Sequence, residues 1–226
     1  DSEEIIVSAD ERIGNEITEN KGWILIFKYQ DNWPELFKSI RVDANCSFQS
    51  VRIGDVIKGG DLEIVTPVYR KIGDAWNTFV TGWNTNGDKI FDKAIYTRGD
   101  YQYQTVHLDV GNILPEQGDE IIVANQFPDE LIIYYWNGTR LVENDHFPLH
   151  PSVGLTKVFL SRSESRSDSS AEIITCGGCF NPDIPGDFYL EAIRFDKEEF
   201  YSRWNRMGGD KKELRVSYAG FGKKRE

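Results

Sequence analysis

Four times the chain sets a glutamate directly before a β-branched pair at the head of an apolar run: Glu4-Ile5-Ile6, Glu63-Ile64-Val65, Glu120-Ile121-Ile122 and Glu172-Ile173-Ile174. The copies recur at intervals of roughly 50 to 60 residues, and joining the two ends of the chain gives a further interval of about that length. A fixed period restricts a chain to architectures built from repeated units, and a period that also closes across the termini implies a ring of them.

The remainder of each unit repeats too. Upstream of the glutamates lie short apolar alternations at Val51-Arg52-Ile53, Val106-His107-Leu108 and Val158-Phe159-Leu160, and the one left to serve Glu4 is Leu214-Arg215-Val216. Downstream come aromatic-rich runs at 23–27, 79–83, 131–136 and 188–190, then a fourth segment at 35–40, 89–96, 139–142 and 199–204. Clusters of Gly, Asn, Asp and Pro, the turn formers, separate them. Period-two alternation with β-branched and aromatic enrichment predicts strands throughout. A helical pattern can be drawn only over 196–207, where a strand is the better reading.

The expected fold is therefore all-β: a β-propeller of four blades with four strands each, which protects sheet edges by radial repetition. The blades run over 214–226 with 1–45, then 46–100, 101–152 and 153–213, all in one domain spanning 1–226. Pairing of Leu214–Val216 with the strand opened by Glu4 would close the ring and cover two open edges. At 226 residues, with 39% hydrophobic and 28% charged residues, the chain has material for a core and no signature of general disorder. No apolar run is long enough to span a bilayer as a helix.

A net charge of −11 argues against a phosphate backbone as partner. The one basic cluster, Lys211, Lys212, Arg215, Lys223, Lys224 and Arg225, reads as a solvated tail. Proteins and glycans remain as partners.

The stretch Gly54-Asp55-Val56-Ile57-Lys58-Gly59-Gly60-Asp61-Leu62-Glu63-Ile64-Val65 resembles the FG-GAP/VCBS repeat, the blade unit of integrin α-chain propellers and of many secreted proteins. Asp109-Val110-Gly111-Asn112, continued by Gly118-Asp119-Glu120-Ile121-Ile122-Val123, is similar to a second copy, and the loops after Ser161 and Ser217 to degenerate ones. In that family the loop often carries closely spaced Asp and Asn with a glycine turn that bind calcium, because a hard cation needs six to eight oxygens. The resemblance implies that Asp109, Asn112, Asp119 and Glu120 form the best calcium set in this chain. The same Asp and Gly residues also serve as ordinary turn and capping groups, and no other cofactor is suggested.

Further motifs carry less. Cys176-Gly177-Gly178-Cys179 has the spacing of a zinc or redox pair, but a zinc site wants a second pair and only Cys46 remains. The pair also follows a strand rather than opening a helix, so it lacks the usual source of a low thiol pKa. His146 and His150 flank Pro148, which keeps the segment extended and denies them one helical face. Arg98-Gly99-Asp100 matches an adhesion tripeptide and equally a turn. Asn45-Cys46-Ser47 and Asn137-Gly138-Thr139 match the N-glycosylation pattern, and Asn-Gly is also the favoured type I′ turn pair. The first residues, Asp1-Ser2-Glu3-Glu4, show no signal peptide, while the family resemblance implies an extracytoplasmic or secreted setting.

Three functional classes fit. The first is a non-catalytic binding or scaffold module that presents loops to a protein or glycan, lectin-like, with Trp33, Trp76, Trp83 and Trp136 as stacking surfaces. The second is a carbohydrate-active enzyme using acidic residues near the propeller axis, since paired carboxylates perform glycoside chemistry. The third is a structural subunit of a larger assembly. Against catalysis, four equivalent glutamates arise automatically from repetition, and their matching contexts single none of them out for a raised pKa. A recurring hydrogen bond from backbone amides at each strand start accounts for all four.

Overall fold

In a computed structural model of the chain, the described residues are 4–11, 21–31, 33–44, 50–97, 106–114, 118–126, 129–148, 154–161, 172–178, 188–196 and 199–208. Every element among them is a strand: β1 (Glu4–Glu11), β2 (Lys21–Gln30), β3 (Trp33–Ala44), β4 (Arg52–Gly54), β5 (Glu63–Ile72), β6 (Ala75–Trp83), β7 (Lys89–Thr97) and β8 (Val106–Gly111). Then follow β9 (Glu120–Gln126), β10 (Asp129–Trp136), β11 (Leu141–Pro148), β12 (Gly154–Ser161), β13 (Glu172–Gly178), β14 (Phe188–Asp196) and β15 (Glu199–Gly208). The segment with the helical pattern is thus the strand β15.

The strands form four antiparallel sheets, each running in strict chain order: β1-β2-β3, β4-β5-β6-β7, β8-β9-β10-β11 and β12-β13-β14-β15. All four recurring glutamates begin the strand assigned to them, β1, β5, β9 and β13. The first sheet has three strands among the described residues; Leu214–Val216 lies outside them.

The chain divides into two compact units, one of residues 1–53 and 62–103, the other of 54–61 and 104–226. In the first, alternate residues of β2 and β3 (Ile24, Ile26, Ile40, Val42) pack with Ile64, Val68 and Trp83 of the second sheet. In the other, Ile122, Ala124, Leu131 and Ile133 of the third sheet pack with Val158, Ile173 and Ile193 of the fourth, joined by Ile113 and Leu114. Each core follows from period-two alternation, which puts every second side chain on one face. Gly82 is required inside the second sheet, because a Cβ there would lie 2.2 Å from the Phe91 ring.

The loop at 54–61 goes with the second unit rather than with the strand that follows it. The cause is a clasp to Gly118-Asp119. Asp119 donates its amide to the Asp55 carbonyl at 2.7 Å, and the Asp55 amide donates to Asp119 Oδ2 at 2.9 Å. A side chain at position 118 would place its Cβ 2.6 Å from the Asp55 carbonyl oxygen, so the close approach needs glycine.

Candidate functional site

Three of the four residues expected to hold calcium, Asp109, Asp119 and Glu120, accept hydrogen bonds from backbone amides. Asp109 accepts from the Leu160 amide of β12 through Oδ2 at 2.7 Å and from the Val110 amide through Oδ1 at 3.0 Å. Asp119 belongs to the clasp. Glu120, with no exposed surface, accepts from the Ile113 and Leu114 amides through one oxygen, at 2.8 and 3.0 Å. Asn112 is exposed at the surface. Among the described residues, no group of three or more His, Cys, Asp or Glu is arranged to hold a metal ion.

Glu120 also corrects the expectation that the four glutamates share one environment. Burial drives its carboxyl up to about 7, against the two amide donors, and the neighbouring Asp119 charge adds to the rise. Its second oxygen, Oε1, is buried with no hydrogen-bond partner, the arrangement that penalises the ionised form most. A raised carboxyl pKa is a signature of acid–base catalysts. Here it marks a core acceptor, because a group with no exposed surface cannot touch a substrate. Glu63 is likewise buried, at 4% exposure, whereas Glu4 lies at the surface with its Oε1 3.1 Å from Lys28 Nζ.

The expected stacking residues separate into unlike fates. Trp83 is a correction: at 3% exposure it belongs to the core of the first unit, and no ligand reaches its ring. Trp136 is half-buried at the end of β10. Trp76 lies in β6, paired with Lys71. Trp33 is 75% exposed, the most exposed of the large apolar side chains among the described residues.

Trp33 stands at the tip of the β2–β3 hairpin, which sequence reasoning valued only for the tryptophan. The pair Gln30–Trp33 closes a two-residue turn whose first residue, Asp31, takes the left-handed conformation at φ 51°. Such turns match the twist of the flanking strands and hold the tip in register. Tyr29, Leu36 and Phe37 on the same hairpin are also exposed. The register sorts them: Tyr29 and Leu36 go to one face with Phe27, while Trp33 shares the other with Gln30, Lys28 and Glu35. A bulge beside Phe27 adds Phe37 to β3, and the Lys28 ammonium sits 3.7 Å from the centre of its ring. Trp33, Lys28 and Phe37 thus lie on a strip that continues, past the core, the face carrying Ile24 and Ile26. The usable sequence signal was the aromatic density of residues 27–37, not the lone tryptophans.

The remaining motifs fall out of the site. Cys176 is a free, buried thiol whose pKa burial pushes up, with Lys157 pulling the other way. Cys46, Cys179, His150 and the tripeptide Arg98–Asp100 lie outside the described residues. His146 is exposed and 3.5 Å from Glu143. Asn137 caps its own turn, its Oδ1 accepting from the Thr139 amide and hydroxyl and from the Arg140 amide.

No family model matches the chain, and no curated protein does. Two solved structures share its fold. One is the Bacillus licheniformis rhamnogalacturonan lyase of family PL11, at 10% identity and TM-score 0.51, over 88% of this chain and 44% of that one. The other is the rhamnogalacturonan lyase YesW, at 9% identity and TM-score 0.50, over 93% and 48%. The chain spans less than half the length of either, and at such identities the likeness is one of fold alone.

Proposed function

We propose that the chain is a non-catalytic binding module that presents the β2–β3 hairpin to a glycan, built as a four-bladed β-propeller of the FG-GAP/VCBS kind. Four successive antiparallel meanders support the blade reading, three of them with a strand before the glutamate strand. Leu214–Val216 is proposed as the corresponding fourth strand of the first sheet. The family resemblance also carries the proposal of an extracytoplasmic setting.

The observation that carries the binding role is Trp33, exposed at 75% on a hairpin held by a two-residue turn. Exposed apolar side chains cost solubility, and two of them, Trp33 and Phe37, on one face of the hairpin mark an interaction site. A glycan is favoured over a protein because both fold neighbours are rhamnogalacturonan lyases, enzymes of a polysaccharide. Their lyase activity is not transferred. A glycan array tests the proposal: the full chain is expected to give specific hits that Trp33→Ala abolishes. Silence across the array, from protein that is folded, would move the module to protein partners.

A further inference from the structure

The face of the hairpin that carries Trp33 has a definite chemistry. Directly paired residues share a face, so Glu4, Lys28 and Glu35 form one row across β1, β2 and β3, beside the row of Gln30 and Trp33. Lys28 is held on two sides, by Glu4 Oε1 at 3.1 Å and by the Phe37 ring at 3.7 Å. Its charge is already answered. Along β3, Trp33 and Phe37 stand about 13 Å apart, with the ionic row between them.

We propose that this strip takes a neutral, linear glycan, a deepening that rests on the binding-module reading. A pyranose presents an apolar C–H face and a rim of hydroxyls. The C–H face, slightly positive, suits the negative π-face of Trp33. The rim meets donors and acceptors in Gln30, Lys28 and Glu35. An ionic polymer finds no net charge on this face, where Lys28 and Lys38 stand against Glu4 and Glu35, and an anionic one meets a chain whose net charge is −11. A cationic one finds the Phe37 ring already carrying the Lys28 ammonium.

Size decides against a protein partner on this face. Trp33 and Phe37 together offer on the order of 250 Å² of apolar surface. A stable protein interface takes about 800 Å² from each partner, of which about 450 Å² is apolar. A short run of sugar rings fits the smaller figure.

Affinity electrophoresis of the full chain through gels containing galactan, xylan, polygalacturonate or chitosan, at low and at high salt, tests the inference. Retardation by a neutral polymer is expected, insensitive to salt, with at least a tenfold loss of affinity, about 1.4 kcal/mol, in Trp33→Ala. Gln30→Ala is expected to lose several-fold. Thermal melting of both variants at the wild-type temperature would show that the losses belong to the site. Retardation only by polygalacturonate or chitosan, weakened by salt, would overturn the neutral ligand and leave the binding module standing. Binding of a neutral polymer that Trp33→Ala leaves intact would overturn the site. Absence of retardation by every polymer would remove the glycan reading and this inference with it.

Discussion

Strand β1 of the first sheet and β9 of the third open with the same words, Glu4-Ile5-Ile6 and Glu120-Ile121-Ile122, and put them to opposite use. In β9 residues 120–125 are all buried, and the glutamate is consumed by two backbone amides. In β1 Ile5 and Val7 are 36% and 40% exposed, and the glutamate pairs with a lysine at the surface. The repeat thus specifies where a strand begins, not what its first side chain does. That role is decided by whether a loop folds back over the strand start. Residues 113–114 do so for Glu120. The partner of Glu4 lies across the sheet.

The largest effect should come from cutting both glutamates short. Glu120→Ala leaves two buried amides unsatisfied, at roughly 1–3 kcal/mol each, so a loss of about 4 kcal/mol is expected. Glu4→Ala removes one half-exposed ion pair, for which under about 1 kcal/mol is expected. Chemical denaturation of the two variants at about pH 5, where Glu120 is protonated, measures the difference. Equal losses would sink the contrast.

The second effect is a pH dependence that only the third sheet carries. Glu120 titrates at about 7 in the folded chain, above the usual glutamate value of about 4.3 in an unfolded one. The folded state therefore binds the proton more tightly. Its contribution is fully present below the unfolded value and is lost as pH rises through the folded one. Between about pH 4 and 7 the cost is on the order of 3 kcal/mol as an upper bound. Glu120→Gln cannot ionise, and its denaturation midpoint should stay level over the same range. Asp92 acts with the opposite sign. Burial pushes its pKa up, but hydrogen bonds from Arg70, Thr81 and Lys89 and the Arg70 charge together hold it below the ordinary value. Its contribution is lost only as the pH falls through that lowered value, outside the Glu120 window.

These differences mark the limit of what the chain declares about itself. Strand order, the four glutamate starts and the all-β class follow from period-two alternation and turn residues, which are local properties. The fates of the tryptophans do not. Trp33 and Trp83 both sit in aromatic-rich segments, yet one stands at a hairpin tip and the other faces Ile64 and Val68. Register and loop length separate them, and neither is visible in a window of a few residues. The carboxylates at 55, 109 and 119 look alike for the same reason. Their spacing suits a cation loop and backbone acceptors equally, and for Asp55 and Asp119 the choice depends on Gly118 letting two loops touch.

That clasp supplies the third test. Asp119→Ala removes the acceptor of the Asp55 amide, a loss expected at about 1–2 kcal/mol. It also removes a negative charge beside Glu120, which lowers the Glu120 pKa, so the decline of stability with pH should level off at a lower pH than in the wild type. Denaturation of Asp119→Ala across the same pH series reads both numbers at once. An unchanged stability would mean that the loop at 54–61 is held by the backbone half of the clasp and by its buried Val56.

The smallest effect on stability belongs to the hairpin. Trp33 packs little of its surface, so Trp33→Ala should leave the melting temperature within the range of an ordinary surface substitution, about 0.5 kcal/mol either way. Trp83→Ala, from the same residue type in the core of the same unit, should cost about 3–5 kcal/mol. A tryptophan whose removal costs the fold nothing has its ring free for a contact outside the fold. If Trp33→Ala instead melts the first unit, its ring is a packing element. The hairpin would then lose its claim to be a binding surface.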